Sequence, residues 1–221
     1  FMMTPEKQLK TDFLFPTPLI RAFHPELTAL IEPLRSVIMT QKETAQGVSR
    51  SNMGGWHSAP NMDKWGGPPA QALASIACGL TEQHLQVEAP PHGLEIGWGV
   101  DMWANLNAAG DANAQHCHPG AFASAVFYID TGNNGAPSTD GHIVFEDPRY
   151  PMAQMQQPGV LWPGMDGAGV QSQHAVLPSV GEMIIFPSWL RHAVKPHSGR
   201  GTRISVAINL SLLWQPKGPG A

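Results

Sequence analysis

Residues 202–210 read TRISVAINL. Ile204, Val206, Ile208 and Leu210 alternate there with Arg203, Ser205, Ala207 and Asn209. A period of two describes a strand with one wholly aliphatic face and one mixed face. The aliphatic face needs a cover. The other face carries an arginine and a serine towards an interior, and a buried guanidinium is costly unless something anionic meets it. A guanidinium fork fits a carboxylate bidentately, and a serine hydroxyl adds a third bond. That carboxylate is either a ligand's or that of an internal Asp or Glu.

Working upstream, EMIIFP (182–187), HIVFED (142–147), AFASAVFYID (121–130) and LEIGWGVDMWANLNAAG (94–110) read as further strands. FLFPTPLI (13–20) reads as an entry strand. The chain has 23 glycines and 21 prolines, so its elements are short and its turns many. Short strands with turn-rich spacers predict a sandwich or small barrel. The cover comes from the N-terminal side. Leu27, Leu30, Ile31, Leu34, Val37 and Ile38 recur at helical spacing within residues 24–44, and Pro33 is expected to start a new turn or kink that helix. A second helix is expected over 68–85, opened by Pro68 and Pro69. Residues 49–62 read as a Gly-rich loop carrying Trp56 and His57, and 148–172 as a long surface loop. The expected organisation is one domain over 1–221, with a helical support region (13–92) and a β core (93–214).

Bulk properties narrow the function. Apolar residues make up 42% of the 221 and charged residues 14%, a globular composition. The net charge is −4 with no basic stripe, so nucleic acid is not an expected partner. No apolar run is long enough for a membrane span, and the N-terminal residues lack the apolar core of a signal peptide. Cys78 and Cys117 make no disulfide framework, which points to reduced thiols and the cytoplasm.

The chemistry concentrates in NAQHCHPG, residues 113–120. Ten histidines in the chain make one H-x-H pair a weak signal alone. If the pair lies in a strand, however, His116 and His118 point to one side and Cys117 to the other. Gly110 is placed to make the turn leading in. A claw needs a third ligand, and His192, after the Pro-Ser turn of FPSWLRHAVKP, is the best candidate. Asn105, Asn107, Tyr128 and Asn209 are softer candidates for the pocket wall. Trp56 and His57 suit either the mouth or the core, while His142 and His174 have nothing to pair with.

Together, His116-x-His118, His192 and Arg203-x-Ser205 resemble the Fe(II)/2-oxoglutarate-dependent oxygenases. SNMGGWHS, WANLNAAGDANAQHCHPG, FEDPR, GEMIIFPSWLRHAVKP and RISVAIN resemble a bacterial and phage branch related to prolyl hydroxylases. The resemblance implies a mainly β fold with N-terminal helices, a double-stranded β-helix of the jelly-roll or cupin-like kind. It implies Fe(II) held by His116, His118 and His192. It implies 2-oxoglutarate meeting Arg203 and Ser205, with Asn107 facing the cosubstrate, and O2 as co-reactant. The expected reaction is hydroxylation of a small molecule or peptide, and the chain is compatible with a homodimer. One departure stands out. The superfamily's usual set is two histidines and a carboxylate, and His118 occupies the carboxylate's position. Either three histidines bind the metal, or a carboxylate such as Asp111 or water completes the shell, or the metal is not iron.

Two rivals remain at this stage. A three-histidine cupin dioxygenase needs no 2-oxoglutarate, but the glutamate of its first motif is missing at Ala121–Ala123 and Arg203-x-Ser205 is left without a task. A non-catalytic metal-binding β-barrel would use 148–172 for recognition, because fold alone does not fix function.

Overall fold

The structure is a computed structural model that describes residues 11–89, 91–133, 140–150, 157 and 159–218. Its described elements, in order, are β1 (Ile20–Phe23), α1 (Pro25–Ala29), α2 (Ile31–Thr44), β2 (Asn52–Met53), β3 (Trp56–His57), α3 (Met62–Trp65), α4 (Gly67–Glu82), β4 (Leu94–Asn107), β5 (Ala112–His116), β6 (Ala123–Thr131), β7 (Ile143–Glu146), β8 (Gln173–Val176), β9 (Glu182–Pro187), β10 (His192–Val194) and β11 (Arg203–Pro216). The strands form two antiparallel sheets, β1-β9-β6-β11-β4-β3 and β2-β5-β10-β7-β8. From β4 onward the chain passes back and forth between them, which makes the double-stranded β-helix.

The larger sheet is organised by β11. It pairs with β4 over fourteen residues, from Arg203↔Asn107 to Pro216↔Leu94, and with β6 on its other side. Its aliphatic face does meet helices. Ile204, Val206, Ile208 and Leu210 lie in one buried cluster with Leu27, Leu34 and Ile38 of the first two helices and Leu73 and Ala77 of α4. Arg35 fastens α2 to the sheet through Asp130 (3.0 Å) and the Ile129 carbonyl (3.2 Å). The smaller sheet has short strands and a smaller cluster, in which Ile143, Phe145 and Val176 meet Tyr128, Ile184 and Phe186.

Several local expectations change. The helix expected over 24–44 is two helices separated at Leu30. Pro33 has no N–H for the Ala29 carbonyl and its ring crowds that carbonyl, so the break falls one turn before the proline. Residues 13–19 carry Pro16 and Pro18 and are irregular; strand begins only at Ile20. The region 13–92 also contributes strands β1–β3 to both sheets, and β8 follows the long segment after β7. In the stretch expected as a Gly-rich loop, β2 joins the smaller sheet and β3 the larger, with only Gly54-Gly55 between them. Both glycines have positive φ (78° and 69°), and a Cβ on Gly55 would come within 2.6 Å of the Leu106 carbonyl oxygen. That corner needs glycine to cross between sheets. No helix among the described residues is long and apolar enough to cross a membrane.

Candidate active site

The inward face of the larger sheet is set by register. Arg203 pairs with Asn107, Ser205 with Asn105 and Ala207 with Trp103 on β4, while Ser205 pairs with Tyr128 on β6. All seven line a cavity between the sheets. His116, His118 and His192 line its other side, with Ser51, Asn113, Ile143 and Val194.

The three histidines come from β5, the segment after β5 and β10. His192 is the register partner of His116. His118 lies beyond the end of β5, so it does not reach the site by strand alternation. Instead its N–H donates to the Ser188 carbonyl (2.9 Å), Ser188 Oγ donates to the Ala121 carbonyl, and Ala121 N–H returns to the His118 carbonyl (3.3 Å). These bonds staple the segment to the turn before His192. The ring centroids stand 4.4 Å (His116–His192), 5.0 Å (His116–His118) and 5.1 Å (His118–His192) apart. One nitrogen from each lies within 4.8 Å of the other two.

The imidazoles are prepared as neutral donors. His116 Nδ1 lies 2.7 Å from the Ala114 carbonyl and His192 Nδ1 lies 2.9 Å from the Leu190 carbonyl. A carbonyl only accepts, so each Nδ1 carries the proton and each Nε2 keeps its lone pair. Burial pushes the pKa of His192 down to about 3 and that of His118 to about 4, and it lowers that of His116 as well. Three neutral imidazoles within ligand distance suit a first-row transition metal. Asp111 is not among them. Its carboxylate accepts from Ala108 N–H (2.8 Å) and packs on Gly54 and Gly55.

At the opposite end Arg203 is 2% exposed. Its Nη1 donates to the Gly141 (3.3 Å) and Lys195 (3.4 Å) carbonyls, while the buried Nη2 has no hydrogen-bond partner among the described residues. An unpaired buried guanidinium nitrogen costs free energy unless a ligand completes it. Burial lowers the pKa of Arg203, and nearby Tyr128 partly offsets this. An arginine stays charged regardless.

The comparisons agree with this geometry. The family model described as "Putative 2OG-Fe(II) oxygenase" matches residues 101–209, from β4 to β11, and so spans all three histidines and Arg203. The chain belongs to the 2OG-Fe(II) oxygenase superfamily. Similar solved structures include a Pseudomonas putida prolyl-4-hydroxylase (18% identity, 88% of this chain and 92% of that one, TM-score 0.57). A Trichoplax adhaerens prolyl hydroxylase, in complex with a hypoxia-inducible-factor peptide, is similar at 12% identity (87% and 83%, TM-score 0.57). HygX from Streptomyces hygroscopicus, with nickel, 2-oxoglutarate and hygromycin B, is similar at 13% (88% and 83%, TM-score 0.56). At these identities the likeness is one of fold. No curated protein matches the chain.

The chain is therefore an enzyme of the oxygenase class. Of the softer candidates, Asn105, Asn107 and Tyr128 line the cavity of this oxygenase, and Asn209 contacts His118. Trp56 packs on the core, its Nε1 donating to the Ala45 carbonyl (3.2 Å). His57 stacks on Trp103 (centroids 5.5 Å, planes 12° apart), which in turn tilts against His118 (5.8 Å). His142 and His174 stand outside the histidine cluster. Trp103 was not singled out from the sequence, although it shares the parity of Asn105 and Asn107 and so their face. Ser51 gave no such signal, because it lies in a bend just before a two-residue strand, where there is no period to read.

Proposed function

We propose that this oxygenase is an Fe(II)- and 2-oxoglutarate-dependent hydroxylase of a small-molecule or peptide substrate. In this reading His116, His118 and His192 hold the metal through neutral imidazole nitrogens. Arg203 takes the far carboxylate of 2-oxoglutarate, with the Ser205 hydroxyl and Asn107 beside it. Bound Fe(II) supplies the activation of O2 that couples oxidation of 2-oxoglutarate to succinate and CO2 with hydroxylation of a substrate C–H bond. The protein's own residues do the rest. The Ala114 and Leu190 carbonyls fix two imidazole tautomers, Arg203 orients the cosubstrate by a charge-assisted fork, and Trp103 walls the cavity next to His118.

The observation that carries this reading is the pairing of a neutral three-nitrogen cluster with one unfinished cation across one cavity. Apart from the imidazoles, Arg203 is the only ionic side chain among the described lining residues, and its Nη2 has no hydrogen-bond partner among the described residues. Asp111 and Asp140 act on the guanidinium electrostatically, but a dioxygenase without 2-oxoglutarate would leave Nη2 with no hydrogen-bond partner among the described residues.

The test is an anaerobic titration of metal-free protein with Fe(II), then 2-oxoglutarate. The expected result is a weak visible charge-transfer band that needs both additions and is lost in Arg203→Ala at the same concentrations. Iron binding with no band would overturn the cosubstrate assignment and favour a three-histidine dioxygenase. Absence of iron binding would overturn the metal assignment.

A further inference from the structure

The three histidines are not held alike. His116 and His192 each face a backbone carbonyl, which can only accept, so their protons are confined to Nδ1. His118 faces a side-chain amide instead. Its Nδ1 lies 3.5 Å from Asn209 Nδ2, and Asn209 Oδ1 lies 2.9 Å from Ser124 Oγ. An amide can present either end. With Nδ2 towards His118, the imidazole accepts at Nδ1 and its proton sits on Nε2. With Oδ1 towards His118, Nδ1 carries the proton and Nε2 is free to bind a metal. Ser124 serves both orientations, because a hydroxyl donates or accepts. Ser124 is buried, so the partner that fixes the amide is itself shielded from water.

We propose that Asn209, steadied by Ser124, is the positioning residue that sets the tautomer of His118 and so governs how tightly the third imidazole binds metal. The proposal rests on the reading of His118 as a ligand. Asn209 turns its oxygen to His118 Nδ1–H when metal is bound and its nitrogen to Nδ1 when it is not. The cost of that turn lies in metal affinity, and an acceptor-only side chain at 209 removes it. Partners of this kind are typically worth about 10- to 100-fold in metal affinity.

The test is calorimetric titration of metal-free protein with Co(II), without 2-oxoglutarate, alongside the Co(II) visible spectrum and thermal melts of each metal-free variant. Asn209→Ala is expected to bind Co(II) about 10- to 100-fold more weakly with an unchanged melt. Asn209→Asp, nearly isosteric and an acceptor only when ionised, is expected to match or exceed wild type. Ser124→Ala is expected to fall between. His116→Ala and His118→Ala complete the set. Wild-type affinity in Asn209→Ala, or weakened binding in Asn209→Asp, overturns the proposal while leaving the ligand set standing if His118→Ala loses affinity. Unchanged affinity in His118→Ala, with loss in His116→Ala, overturns both the proposal and the three-histidine reading.

Discussion

The two sheets contribute to the same cavity in opposite ways. In the larger sheet β11 and β4 pair without a break over fourteen residues, and helices bury the outer face. Arg203, Ser205, Asn105 and Asn107 therefore hold their places because a one-residue slip would throw an entire aliphatic face into the cavity. The smaller sheet has strands of two to five residues, and β10 shifts register between His192 and Val194. There, each imidazole is placed by individual hydrogen bonds: the Ala114 and Leu190 carbonyls, Asn209 from β11, and the Ser188–Ala121 staple. The arginine end is fixed by strand register and the histidine end by individual hydrogen bonds. The two ends should then fail independently.

The sharpest break of that comparison uses one variant from each end. His192→Ala is expected to abolish saturable Co(II) binding at micromolar metal. Arg203→Ala is expected to leave metal binding within a few-fold of wild type and to weaken 2-oxoglutarate by at least about 30-fold, from the roughly 2–5 kcal/mol lost when one partner of a buried charge pair is removed. Calorimetry with metal and cosubstrate in turn reads both. If Arg203→Ala also lost the metal, the two ends would not be separate. Next in size is the core. Phe127 is fully buried in the larger sheet's cluster, and Phe127→Ala should destabilise the fold by about 3–5 kcal/mol. Val194, only partly buried beside the smaller cluster, should cost about 1 kcal/mol when cut to alanine. Urea unfolding of both variants measures the contrast.

How much of this was legible in the sequence follows the same division. The parity of TRISVAINL indicates at once which residues face the helices and which face the cavity, because a long half-buried strand writes its register into every second residue. Helix and strand boundaries near Pro33 and Pro16 are harder, since the effect of a proline falls on a carbonyl a turn earlier or on a missing donor. The smaller sheet is barely legible. His116 and His118 come together, but not by the alternation their spacing suggests; His118 sits past the strand, stapled by Ser188 from 70 residues on. The crossing at Gly54-Gly55 shows only as two glycines, and the Asn209–His118 contact joins residues 91 apart. Contacts of that kind have no local pattern to read.

The histidine end also predicts a pH dependence. Burial depresses the folded-state pKa of His192 to about 3 and of His118 to about 4, from an ordinary 6.5. A base with a depressed pKa prefers to fold neutral, so its contribution is present above pH 6.5 and is lost as pH falls towards 3–4. Each unit corresponds to about 1.4 kcal/mol, so metal-free protein should lose a few kcal/mol between pH 6.5 and 4. His192→Gln should flatten that slope. An equally steep slope in the variant would place the acid sensitivity outside the histidine cluster.

The smallest effect probes the helix layer over the larger sheet. Cys78 of α4 packs against the main core cluster, and burial with Glu82 nearby pushes its thiol up to about 11. The thiolate is the nucleophile, so at pH 8 very little of Cys78 is reactive in the closed state. The higher basicity of a high-pKa thiolate recovers part of that loss. In a Cys117→Ser background, Cys78 should react with iodoacetamide at pH 8 at least about ten-fold more slowly than a free cysteine. Low urea should not speed it until global unfolding begins, because α4 opens only with the sheet it covers. Rapid labelling in native buffer would mean that α4 detaches on its own. The larger sheet would then owe its register to its strand ladder alone.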